Sequence, residues 1–122
     1  MTKLINLTPH AIRIRLDESN EAVPLESDIV IEPTLPAARV RMESVVVSHI
    51  NDIPVKMSKF SEVENLPEPQ DDIVYVVSMV VAQRANRSDV VGANTAPKED
   101  IRYSEGHKLA GLTFAVRGFQ VF

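Results

Sequence analysis

Apolar and polar positions alternate along this chain in short runs, and one run has no polar member: Ile73-Val74-Tyr75-Val76-Val77. A strand written that way is covered on both faces, which predicts it at the centre of the fold. Ser78 follows at an N-cap position, and Met79 to Ala85 reads as about two helical turns. The strand-to-helix junction leaves free backbone N–H groups at one rim of a sheet, a common docking place for phosphate or carboxylate.

Elsewhere the pattern is that of half-buried strands. Ile12, Ile14 and Leu16 alternate with Arg13 and Arg15, so the arginines are expected to face water. Ahead of them lie a short apolar piece and a turn at Thr8-Pro9. Val23-Pro24 with Ile29-Val30-Ile31 suggests an irregular edge strand kept short by Pro24 and Pro33. Residues 39–47 and 55–60 read as strands joined at Asn51-Asp52, an antiparallel hairpin. Residues 62–72 are acidic and proline-punctuated, a surface loop leading into the central strand. Residues 87–98 (RSDVVGANTAPK) carry the glycine, asparagine and proline of an irregular loop. Residues 101–103 and 108–112 are expected to flank a second hairpin turn, with Gly106 at positive φ. Leu112, Phe114 and Val116 alternate in a last strand, followed by Phe119 and Val121. Six to eight strands and one short helix predict an α+β fold, a mainly antiparallel β domain with its helix after the central buried strand.

At 122 residues the chain is expected to form a single domain over residues 1–122. Its net charge of −4 argues against general affinity for DNA or RNA. The absence of cysteine excludes disulfides, zinc thiolates and thiol catalysis, and suits a reducing cytoplasm. The first ten residues lack the apolar stretch of a signal peptide, and no apolar run has the ~18 residues of a membrane span. The expectation is an intracellular, soluble protein without membrane partners.

Catalytic and cofactor motifs do not emerge. His10, His49 and His107 are far apart and lack metal-ligand spacing; His10 is expected to bond backbone at the strand entry. Neither a nucleophile elbow nor a glycine-rich phosphate loop is present, so no cofactor is expected, and Ser78 is better explained as a cap. Glu62, Glu64, Glu68, Asp71 and Asp72 lack calcium-loop spacing and read as a solvated loop. Arg84, Arg87, Asp89, Asn94, Thr95 and Lys98 remain as ligand-binding candidates, with Arg117 a contributor from the last strand. Arginine grips phosphate with a planar fork, while asparagine and threonine hydrogen-bond a base or ribose. Beside that stands the plainer reading, an Arg87–Asp89 surface ion pair tying helix to loop.

INLTPHAIRI, then ENLPEPQDDIVYVVSMVVAQRANRSDVV and the closing AVRGF resemble a group of small phage and prophage proteins. The likeness covers roughly half the chain, and the LPEP…YxVSxxVA…RxDxV pattern is its more specific part. It implies an accessory role in the host cytoplasm. More narrowly, the chain looks like the phage anti-defence sponges, of which the anti-Thoeris proteins are an example; no site residue is carried over from them. That resemblance implies a non-enzymatic protein that sequesters a phosphate-bearing signal, a cyclic ADP-ribose-type molecule or cyclic oligonucleotide. The alternative is a phage structural or assembly accessory with no small-molecule ligand. Either would be a homo-oligomer, with Phe114, Phe119 and Phe122 expected at the subunit contact.

Overall fold

The all-apolar run forms an inner strand of a four-stranded sheet in the computed structural model, which describes residues 2–95 and 99–122. Ile73–Val77 (β6) pairs in parallel with Lys3–Asn6 (β1) on one side and with Val90–Ala93 (β7) on the other. Phe119–Gln120 (β10) runs antiparallel along β7. Tyr75 and Val77 share a buried cluster with Leu7, Ala38, Val81, Ala82 and Val90. Val76 is equally buried, and strand alternation turns it to the opposite face. The central strand is therefore covered on both sides, as its composition predicts.

The helix, Met79–Ala85 (α1), begins where expected but without the expected cap bond. Ser78 has extended backbone and its carbonyl accepts from Ala82 N–H at 2.9 Å, yet its hydroxyl makes no capping hydrogen bond. Packing substitutes for capping there: the helix start lies so close over β7 that a Cβ on Gly92 would come within 2.6 Å of Met79 Sδ. Asn86 ends the helix in the left-handed region at φ 48°, donating to Ala82 O. The segment read as an irregular loop thus contains β7. The apolar pair Val90-Val91 joins the central sheet, and the absent side chain of Gly92 lets α1 settle on it.

A second sheet has the order Ile29–Ile31 (β3), Ile12–Ile14 (β2), Thr113–Val116 (β9), Asp100–Arg102 (β8). β2 runs antiparallel to the edge strand β3 and parallel to β9. The alternation predicted through Leu16 stops at Ile14: Arg15 is wholly buried and Leu16 is 67% exposed. An ion pair described below draws Arg15 inward. Residues 108–112, expected in a strand, belong to turns between β8 and β9, in which Gly106 and Gly111 take positive φ.

Met42–Ile50 (β4) and Ile53–Phe60 (β5) form a two-stranded antiparallel sheet of their own. Its turn places Asn51 and Asp52 at φ 51° and 66°, the paired positive values of a two-residue hairpin loop whose twist matches the strands. At its root Val40, Val63 and Leu66 pack against the main core. Beyond the root both strands run out as an arm on which most side chains are exposed. The whole is an α+β, mainly β fold with its one short helix after the central strand.

Candidate functional site

The residues at the exit of α1 are occupied by the protein itself. Arg87 grips Asp89 with two hydrogen bonds, Nε to Oδ1 at 2.9 Å and Nη2 to Oδ2 at 2.6 Å, while Nη1 donates to Pro67 O. That pairing raises the Arg87 pKa and lowers that of Asp89, against the opposing effect of burial. The fork joins the end of α1 to the LPEP loop, so the plainer reading of the pair describes what this arginine does. Arg84 lies in the last helical turn, where its charge complements the C-terminal end of the helix dipole. Its guanidinium stacks over Phe60 at 3.8 Å from the ring centroid, a cation–π contact that ties α1 to the arm.

The other candidates have different neighbours. Arg117 donates to the carbonyls of Asp17 and Ser19 and to Asn20 Oδ1, and so clamps the loop after β2. Asn94 N–H donates to Gly118 O, and Lys98 lies outside the described residues. Thr95 is the one of the described six that lines a groove of about 280 Å³, together with His10, Arg13, Thr113 and Phe114.

Beside Phe114 of that groove lies a buried charge cluster. Arg15, wholly buried, donates twice to Asp28 and also to the carbonyls of Ser19, Glu21 and Val23. Arg13 adds a third bond to the same carboxylate and lies over the Phe114 ring at 5.3 Å. Hydrogen bonding from Arg15 holds the Asp28 carboxyl well below the usual carboxylate range, outweighing desolvation. Two arginines share one aspartate beside an aromatic face, with Asp17 and Glu21 also acting on Arg15.

Asn6, equally buried, is a residue that the sequence reading left unassigned. Its Nδ2 donates to His10 O and Ile31 O, while Oδ1 accepts from Thr8 N–H and Thr8 Oγ1. One side chain thereby links β1 of the first sheet to β3 of the second. His10 does contribute at the strand entry, but through its carbonyl as an acceptor. The signal was present in Asn-Leu-Thr, a pairing of residue types that turn their side chains back on the local backbone.

The arm carries a run of exposed apolar side chains. Its register pairs Glu43 with Lys59, Val45 with Met57, Ser48 with Val55 and Ile50 with Ile53, which puts those eight side chains on one face. A bulge between Val46 and Ser48 keeps that face continuous through a change of register. Ile50 is 63% exposed, Ile53 64% and Met57 48%. The opposite face is mixed, carrying Ser44, Ser58, Lys56 and His49 together with Pro54 and the exposed Met42 and Val46, and it is there, at the root, that Phe60 meets Arg84. Arg39 and Arg41 both pair with Glu64 and fix the root further.

Among the described residues no three histidine, aspartate or glutamate side chains are grouped as metal ligands, and no helix is long and apolar enough to cross a membrane. No family model matches the chain, and no curated protein or solved structure does.

Proposed function

We propose that this protein is a non-catalytic assembly protein, of the phage accessory kind its motifs resemble, and that its working element is the arm. The observation that carries this reading is the stripe of Val45, Ile50, Ile53, Val55 and Met57, of which Ile50, Ile53 and Met57 are exposed and Val45 and Val55 half-buried. Two-stranded hairpins are marginal in water by themselves, and a contiguous exposed apolar patch marks an interaction site. The anchoring of the root by Arg84, Arg39 and Arg41 supports the same reading, because an element positioned in advance loses less freedom on docking.

A second reading, sequestration of a phosphate-bearing nucleotide signal, is favoured by the groove, where the Arg13 guanidinium lies over Phe114 beside the arginine pair on Asp28. Native mass spectrometry of the purified protein separates the two. The assembly reading expects chain masses of 13.5 kDa, alone or in whole multiples, with nothing added. A constant extra mass of a few hundred daltons per chain, released on denaturation, would overturn it in favour of sequestration.

A further inference from the structure

Resting on that reading of the arm, we propose that its partner is a second copy of this chain, the two apolar faces stacking about a two-fold axis that runs along the arm. Rotation about such an axis lays β4 of one copy over β5 of the other. Each pair that faces its neighbour within the arm then faces it again between copies: Val45 over Met57, Ser48 over Val55, Ile50 over Ile53, and Glu43 over Lys59. A two-fold interface requires that if one residue meets another, the second also meets the first. All four pairs satisfy that condition at once.

Charge selects the partner and the orientation. The face carries one acid and one base at its root and neither beyond it, so two copies neutralise each other, whereas a face of one sign would require a partner of the other. Stacking in the reversed direction would set Glu43 and Lys59 on Ile50 and Ile53 of the second copy, removing both charges from water without a partner across the interface. Addition through the strand edges is disfavoured as well. Pro54 interrupts the donors of β5, and the bulge at Val46–Ser48 distorts β4. The face is about 20 Å long and about 10 Å wide, from the strand rise and spacing, so each copy buries about 200 Å² there. That is well below the ~800 Å² per partner of a standard interface, and the pair is accordingly reversible.

Sedimentation velocity over a wide concentration range tests the proposal, using the wild-type chain and the variants Glu43→Lys and Lys59→Glu. The wild type should rise from 13.5 kDa toward twice that mass. Each variant alone should need at least about tenfold higher concentration to pair, because like charges now oppose across the interface. An equimolar mixture of the two variants should pair again, since one copy then carries two bases and the other two acids. That rescue cannot arise from repair within either arm. Ser58→Glu, on the opposite face, should leave pairing unchanged, and unaltered circular dichroism shows that the variants are folded. A wild type that stays at 13.5 kDa, or a mixture no better than its components, overturns self-docking. Neither result adds bound mass, so the failure of this proposal and the failure of the assembly reading remain distinguishable.

Discussion

Replacing Asn6 with alanine should cost more stability than its size suggests, because the side chain is a junction between two sheets. Four hydrogen bonds end on it. After truncation the single Thr8 hydroxyl proton, no longer donated to Asn6 Oδ1, is free for His10 O at 2.8 Å. Ile31 O and Thr8 N–H lose the partners that Asn6 supplies. Each buried polar group left unsatisfied costs about 1–3 kcal/mol, and half-burial of Ile31 and Thr8 favours the lower end. The expected loss is about 3 kcal/mol, or roughly 10 °C in the thermal midpoint for a domain of this size. Asn6→Asp should do no better, because it turns an acceptor toward two carbonyls. Thr8→Ala should cost only about 1 kcal/mol, the net worth of an ordinary hydrogen bond. Urea denaturation followed by circular dichroism measures all three. A loss below about 1 kcal/mol for Asn6→Ala would refute the junction argument.

Gly92→Ala should destabilise by about 1–3 kcal/mol through overpacking against Met79, and combining it with Met79→Ala should recover part of that loss in a double-mutant cycle. Since the Asp28 pKa is depressed in the folded chain, its contribution is present above the ordinary carboxylate value near ~4 and is lost as pH falls through the folded value; denaturation at a series of acidic pH values should show this slope, and Asp28→Asn should flatten it. Arg117→Ala frees the acceptors of residues 17–20, and limited proteolysis should then cut that loop faster with little change elsewhere. Arg87→Ala should cost about 1 kcal/mol in urea denaturation, as a partly exposed ion pair does; a loss beyond about 3 kcal/mol would give the LPEP tie a larger part in the fold.

The elements that the sequence made legible are those in which one physical preference dominates. The unbroken apolar run of β6 leaves no face for water, and Asn51-Asp52 suits a turn that needs two positive φ values. Where two preferences compete, the chain read differently from its structure. Alternation placed Arg15 outside, but a carboxylate and three carbonyls converging from residues 19–28 hold it inside, and that convergence is tertiary. Gly92 read as a loop residue because its reason, the close approach of Met79, lies in another element. The arginines at the helix exit stand out in the sequence as cations with no evident partner beyond Asp89. Their engagement with Asp89, Pro67 and Phe60 depends on where the LPEP segment and the arm come to rest. The hairpin itself was legible, yet its lack of cover was not, since the same alternation describes a strand packed on a core.

The central claim, that another protein surface covers the apolar face of the arm, is tested most directly with thiols, because the chain has no cysteine of its own. Met57→Cys places one on the apolar face, and Ser58→Cys places one on the opposite face. Alkylation rates are then followed as the protein is diluted. The account predicts slow, concentration-dependent labelling at position 57 that becomes fast on dilution, and fast labelling at position 58 throughout. Equal, fast labelling at both positions at every concentration would contradict it.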